Sequence, residues 1–287
     1  MGKVSGFVRL MRPINCVMMG FAVMVGAVLA NPQFSSVDWL NILYGFITGF
    51  MLTAASMTIN DYYDREIDAI NEPSRPIPSG LVNSTEALIF VFVLSVVGFV
   101  FAYLASVLCL AVAVISWIIV VTYVTVGKRS GLPGNFLVSA CVAVPFIYGS
   151  ITVMNQVQLN VLLFASIAFL SNTGREITKG IVDVKGDKTQ GVKTLAVRYG
   201  ERNAAVVAAL FYVSAVSLTP LPWLLGLVSL WFIPFVLVTD VGFAVSSFFL
   251  VRDYSRENAR KIKNLVLLWF VLGLLAFVFG AFQPGAA

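Results

Sequence analysis

Two stretches hold the residues able to do chemistry. NDYYDREID covers residues 60–68, directly after the apolar run ILYGFITGFMLTAASMTI, and GREITKGIVDVKGD covers residues 174–187. If the first segment stays helical past the apolar run, Asn60, Asp64 and Asp68 fall at i, i+4 and i+8. They then share one face and span about 12 Å along the axis. Three oxygen donors on one face suit a hard divalent cation. Magnesium commonly takes one or two protein carboxylates and completes its shell with water and phosphate oxygens. Asp61 and Glu66 point away from that face. Taken alone, the same acids serve equally as a solvated helix end.

The second stretch repeats the pattern. Asp183 and Asp187 are again i, i+4, and Arg175 and Lys179 continue the series backwards. One helical face would read cation, cation, carboxylate, carboxylate, unless Gly186 ends the helix first. Two acidic faces meeting across a cavity would repel. Magnesium ions bridged by a diphosphate resolve that repulsion, with Lys and Arg completing the neutralisation. The basic candidates are Arg75, Lys128, Arg129, Arg175 and Lys179. Lys128 and Arg129 follow an apolar segment, where a basic pair is also a topology signal. The run Arg252, Arg256, Arg260, Lys261 and Lys263 is assigned to topology or to contact with anionic lipid. NEPSRPIPSG, residues 71–80, carries three prolines that argue against a continuing helix. It is expected to form an ordered loop that covers the cavity and offers Arg75.

The elements that position these residues must lie in a bilayer. The chain has 287 residues, 59% hydrophobic and 11% charged, against about 25% charged in soluble domains. Only helices or closed barrels satisfy every backbone group in hydrocarbon, and apolar runs of about 20 residues without alternation select helices. Nine spans are expected, at 13–31, 38–60, 86–106, 108–126, 134–153, 158–178, 203–221, 228–250 and 262–282. They form an all-α, multi-pass membrane protein with the helices around a central cavity, organised as a single domain over residues 1–287. The first apolar run has no convincing cleavage site and is taken as a retained helix. The Lys and Arg residues, 19 in all, fall in the N-terminal segment and in the loops after the even-numbered spans. The positive-inside rule therefore puts the N-terminus and both acidic clusters in the cytoplasm and the C-terminus, AFQPGAA, outside.

The remaining polar residues are few. Asp38 opens the second span and is expected to cap it. Asp240 lies inside the eighth span, where a carboxylate is either functional or a hydrogen-bonded residue facing the bundle. Asn15, in the first span, faces the cavity or makes a helix–helix hydrogen bond. Tyr62, Tyr63, Tyr123 and Tyr148 are candidates to line an apolar channel or to stabilise positive charge through their π faces. Cys16, Cys109 and Cys141 lack metal-ligand spacing, and there is no histidine. Any metal is therefore held by oxygen, which favours magnesium, manganese or calcium.

Together these features resemble the UbiA superfamily of intramembrane prenyltransferases, over essentially the whole chain. The family's NxxxDxxxD motif matches Asn60, Asp64 and Asp68, and its DxxxD motif matches Asp183 and Asp187. The resemblance implies Mg2+ as cofactor, held by those five residues. It implies catalytic work by Asp64, Asp68, Asp183, Asp187 and Lys179. Substrate contacts fall to Asn15, Arg75, Lys128, Arg129, Arg175, Lys179 and Tyr123. Within the superfamily, the stretches around both motifs look most like the archaeal ether-lipid enzymes. That implies transfer of a geranylgeranyl group from its diphosphate to the sn-2 hydroxyl of geranylgeranylglyceryl phosphate in the cell membrane. The expected partners are a prenyl diphosphate, a lipid phosphate acceptor and membrane lipids, with no nucleic acid. Gly180 departs from the family, which often has Asp there. The competing readings are an aromatic prenyltransferase of quinone or chlorophyll biosynthesis and, from another class, a cation-coupled transporter.

Overall fold

The computed structural model describes residues 2–33, 38–189 and 191–282. The chain folds as α1 (Lys3–Met11), α2 (Pro13–Ala30), α3 (Trp39–Asn71), α4 (Ser84–Ala105), α5 (Val107–Thr125), α6 (Leu132–Met154) and α7 (Leu159–Val182). There follow α8 (Val184–Thr189), α9 (Leu195–Tyr199), α10 (Glu201–Leu218), α11 (Pro220–Leu224), α12 (Phe232–Arg252) and α13 (Arg256–Ala281). The fold is the all-helical one expected. Among the described residues, eight helices are long and apolar enough to cross a membrane. The sixth expected span, 158–178, corresponds to α7, of 24 residues, which is not among those eight. Its last turns carry Arg175, Glu176 and Lys179, so its composition is less apolar than that of its neighbours. The expected outside C-terminus, residues 283–287, lies outside the described residues.

Local sequence explains where the helices start. Asp38 caps α3 as expected, accepting from the amides of Leu40 at 3.0 Å and Asn41 at 3.4 Å. Asn83 and Glu86 form a capping box at the start of α4. Burial follows the inverted logic of a membrane helix. In α4 the buried stripe is Ala87, Val91, Leu94, Ser95, Gly98 and Ala102, while Ile89, Phe92 and Tyr103 are exposed. Small residues face protein and large ones face outwards, as lipid permits.

The helices gather into two compact units. The first comprises α1, α2 up to residue 27, α3, α4, α5 and residues 145–156, which hold the second part of α6. Its α2 and α6 are in backbone contact. A Cβ built on Gly149 would fall 2.0 Å from the Val23 carbonyl oxygen, so only glycine permits the approach. The second unit comprises the first part of α6 and α7 to α13. Its core joins Ile177 and Ile181 of α7 to Ala204, Ala205, Ala208 and Tyr212 of α10, with Phe243 of α12 and Val266 of α13. The alanine stripe lets α10 lie close against α7, and the Tyr212 hydroxyl is 3.0 Å from Thr178 Oγ1. This packing fixes the helix that carries the second motif.

Candidate active site

The first motif sits on α3, which stays helical through residue 71. Its 33 residues make it about 50 Å long, enough to cross the bilayer and project beyond it. Asn60 Nδ2 donates to Asp64 Oδ2 at 3.1 Å, so the first two motif residues lie along one face as their spacing required. Asp68, one turn on, is buried and accepts from Arg75 Nη1 at 2.6 Å. The loop that offers Arg75 is ordered by its own turns, including Arg75 N to Glu72 O at 2.9 Å and Val82 N to Pro76 O at 3.0 Å. It is also held by α1, because Arg9 Nη2 donates to the Ser74 carbonyl at 2.9 Å.

Asp61 is off the motif face, as expected, yet it is only 4% exposed. It pairs with Arg12 at 2.6 Å and lies 3.5 Å from Arg75. Sequence reasoning passed over both Asp61 and Arg12. The available signal was a carboxylate at the mouth of an apolar run, which burial would force to find a cation. Glu66 is exposed and lies 3.6 Å from Arg65. Asn15 is exposed on α2 and contacts Met57 Sδ at 3.8 Å, a helix–helix contact. The Tyr62 ring is covered by the Arg65 guanidinium at 4.6 Å. Tyr123 lies half-buried in the last turn of α5. Tyr148 is 4% exposed and packs with Val23, Ala102 and Cys109, which makes it a core residue of the first unit.

The second motif lies where α7 gives way to α8. The sequence reads this stretch as one helix, with Gly186 as the place where it could end, and that reading is corrected. The break is at Asp183 (φ −98°, ψ 4°), and α8 runs through Gly186 to Thr189. Arg256 Nε satisfies the acceptor that this break leaves free. It donates to the Val182 carbonyl at 3.0 Å, an acceptor that an unbroken helix would give to residue 186. Arg256 thus has a structural task beyond the topology or lipid role expected of its basic run. The i, i+4 relation survives, since Asp183 N bonds Lys179 O at 3.0 Å and Asp187 N bonds Asp183 O at 2.9 Å.

Glu176 holds the two cations of this face. Its oxygens lie 3.1 Å from Arg175 Nη1 and 3.4 Å from Lys179 Nζ. Burial pushes the Asp187 carboxyl above its usual range, and the Asp183 charge pushes it further. The Thr194 hydroxyl and Lys179 pull it back. Lys128 and Arg129 occupy a 3-10 turn after α5, with Lys128 half-buried and Arg129 exposed. Lys193 N donates to the Arg129 carbonyl at 3.3 Å, so this turn is tied to the segment that follows α8. A Cβ on Gly180 would meet Thr194 only at 3.5 Å, an ordinary contact, so packing does not dictate glycine there. Asp240 accepts from Thr219 Oγ1 at 2.7 Å, which makes it a hydrogen-bonded carboxylate within the second unit.

Of the site residues read from the sequence, Asn15, Asn60, Asp64, Asp68, Arg75 and Tyr123 belong to the first unit. Lys128, Arg129, Arg175, Lys179, Asp183 and Asp187 belong to the second. Among the described residues, no three Asp, Glu or Cys side chains form a ready-made metal cage. The donors come as i, i+4 sets on two helix ends. That set fits magnesium, which needs few protein oxygens and takes the rest of its shell from water and phosphate.

Comparison with known proteins places this arrangement in a family. The profile of the UbiA prenyltransferase family matches residues 19–271. The digeranylgeranylglyceryl phosphate synthase of Archaeoglobus fulgidus is 39% identical over 277 residues, covering 95% of this chain and 94% of that protein. The synthase of the same name from Natronomonas pharaonis is 37% identical over 287 residues, covering 97% and 100%. A solved structure of a digeranylgeranylglyceryl phosphate synthase superposes with a TM-score of 0.90 at 30% identity, covering 98% of this chain and 99% of that one. A UbiA homolog from A. fulgidus, solved with GPP and Mg2+, has a TM-score of 0.68 at 17% identity, covering 95% and 99%, and so shares the fold.

Proposed function

The chain belongs to the UbiA prenyltransferase family, and from that premise we infer that it transfers a geranylgeranyl group from geranylgeranyl diphosphate to the sn-2 hydroxyl of geranylgeranylglyceryl phosphate. This step forms the second ether bond of an archaeal membrane lipid. The observation that carries the reading is the near full-length likeness to digeranylgeranylglyceryl phosphate synthases, at 39% identity for the A. fulgidus protein, with both acidic motifs in place. The family match runs through both compact units, which supports treating residues 1–287 as one catalytic domain.

In this reading Asn60, Asp64, Asp68, Asp183 and Asp187 are the magnesium ligands. Magnesium, when bound, supplies the positive charge that neutralises the departing diphosphate. Arg75, Lys128, Arg129, Arg175 and Lys179 add cationic hydrogen bonds to phosphate oxygens. Lys179 is the one assigned to the charge that grows on the leaving group as the carbon–oxygen bond breaks. The electron pair of that bond leaves with the diphosphate. The acceptor hydroxyl oxygen attacks the allylic carbon, and its proton passes to a diphosphate oxygen. Asn15 and Tyr123 line the approach of the prenyl chain. The surrounding apolar helices keep water from the allylic cation.

The protein is a multi-pass membrane protein. The Lys and Arg distribution supports a location in the cell membrane with the N-terminus and the motif loops in the cytoplasm. Its partners are then the prenyl diphosphate, the lipid phosphate acceptor and the surrounding lipids.

The test supplies labelled geranylgeranyl diphosphate and magnesium to the purified protein in detergent. Geranylgeranylglyceryl phosphate or 4-hydroxybenzoate is added in parallel, and products are identified by mass spectrometry. A diether phosphate from the first acceptor supports the reading. Product from the aromatic acid alone overturns the acceptor while keeping the family's chemistry.

A further inference from the structure

Four charged side chains of the first unit form a chain of contacts. Arg12 Nη2 lies 2.6 Å from Asp61 Oδ1. Arg75 Nη1 lies 3.5 Å from that same oxygen and 2.6 Å from Asp68 Oδ2. A single guanidinium nitrogen thus stands between a carboxylate of the metal motif and one outside it. The Asp61 side chain is 6% exposed and that of Asp68 is 9%, against 32% for Arg75. The two acids are fixed and buried, and the arginine reaches in from the loop. Arg12, at φ 50°, is the left-handed C-cap that ends α1 just before α2.

We propose that Asp61 is a positioning residue in a counter-ion exchange. Arg75 neutralises Asp68 while the motif holds no metal, and Asp61 retains the Arg75 guanidinium once magnesium takes Asp68. The proposal rests on Asn60, Asp64 and Asp68 being a metal site. Arg75 holds Oδ2 of Asp68 at 2.6 Å, and a divalent cation on the same carboxylate repels the guanidinium and weakens that contact. Without Asp61 the freed side chain turns to solvent. With Asp61 it moves to a carboxylate it already approaches. The local charge balance then shifts. Before the exchange two arginines face two carboxylates. Afterwards two arginines face one free carboxylate, and the excess positive charge sits beside the motif where a diphosphate oxygen arrives. Asp61 binds no metal and touches no reacting atom in this scheme. It keeps a phosphate-binding cation in place at the step when that cation loses its first partner.

The test is calorimetric titration of substrate-free protein in detergent with magnesium chloride alone. Arg75→Gln removes the internal competitor and binds magnesium more tightly, by roughly fivefold, in the range of coupling between residues in contact. Asp61→Asn leaves Arg75 no alternative to Asp68 and weakens magnesium by a similar factor. The Asp61→Asn/Arg75→Gln double variant binds magnesium as Arg75→Gln does. An equal weakening by Asp61→Asn in both backgrounds means that Asp61 acts only as a distant charge, and overturns the exchange. Unchanged or weaker binding in Arg75→Gln overturns it as well. If Asp61→Asn fails to fold, Arg75→Gln and Arg75→Lys decide the point, with Arg75→Lys falling between wild type and Arg75→Gln. Asp64→Ala separates the two levels of the argument. If it leaves the magnesium titration intact, the metal reading of the motif fails, whatever Arg75 does.

Discussion

Arg256 Nε donates to the carbonyl of Val182 at 3.0 Å, one residue ahead of Asp183. An exposed arginine at the start of α13 therefore caps the end of α7, where the second motif begins. Arg256→Ala should cost about 1 kcal/mol, below the usual range for a charged hydrogen bond because the side chain is exposed. It should also raise the magnesium concentration needed for half-maximal activity, since Asp183 loses its fixed setting. Arg256→Lys should recover part of both. Thermal denaturation in detergent and a magnesium titration of activity check the two effects separately.

Glu176 lies between Arg175 and Lys179 and, in the proposed mechanism, would compete with the diphosphate for both cations. Glu176→Gln should release them to bind diphosphate in the ground state, which lowers KM. It should lower kcat by more, about tenfold, because the cations are no longer held where leaving-group charge develops. Steady-state kinetics that show KM rising with kcat unchanged would contradict this role.

The raised carboxyl of Asp187 gives a pH dependence whose sign can be worked out. A raised pKa means that the proton is held to higher pH than by an ordinary carboxylate. Proton and magnesium compete for the same oxygens. As pH falls, magnesium affinity should begin to weaken above the normal carboxylate range and continue to weaken as Asp187 protonates. Asp187→Asn should bind magnesium more weakly at neutral pH and with a flatter dependence on acidification. Magnesium titrations at several pH values read both slopes.

Two glycines of α7 should respond oppositely to alanine. At Gly174 an added Cβ would fall 2.7 Å from the Tyr212 ring and 3.0 Å from the Ala208 carbonyl oxygen, whereas at Gly180 the nearest atom is at 3.5 Å. Gly174→Ala should destabilise the second unit by about 1–3 kcal/mol through overpacking. Gly180→Ala should be neutral or stabilising by up to about 1 kcal/mol through helix propensity. Thermal melts of the two variants in the same detergent compare them directly.

Much of this arrangement was legible in the sequence, for physical reasons that differ by element. Long apolar runs declared the spans, and Asn60, Asp64 and Asp68 declared their shared face because an α-helix repeats every 3.6 residues. Asp38 declared itself as a cap by its place before an apolar run. The rest depended on partners distant in the chain. No local pattern pairs Arg12 with Asp61, 49 positions apart. None gives the Val182 carbonyl to Arg256, 74 positions on, so the sequence offered Gly186 as the only place for a break, which lies instead at Asp183. Lys128 and Arg129 announced only a basic turn, because the backbone bond from Lys193 forms after the chain has returned through two more long helices.

The most direct test of the account follows prenyl transfer in wild type, Asp64→Ala and Asp183→Ala, each shown to be folded by its melt in detergent. Labelled geranylgeranyl diphosphate and geranylgeranylglyceryl phosphate are supplied with and without magnesium. The account predicts a magnesium-dependent diether phosphate from wild type and a loss of roughly a hundredfold or more in each variant, since each removes a ligand of the metal that drives leaving-group departure. Transfer that persists in either folded variant, or that proceeds equally without magnesium, would contradict the assignment of the two motifs as the metal-binding centre.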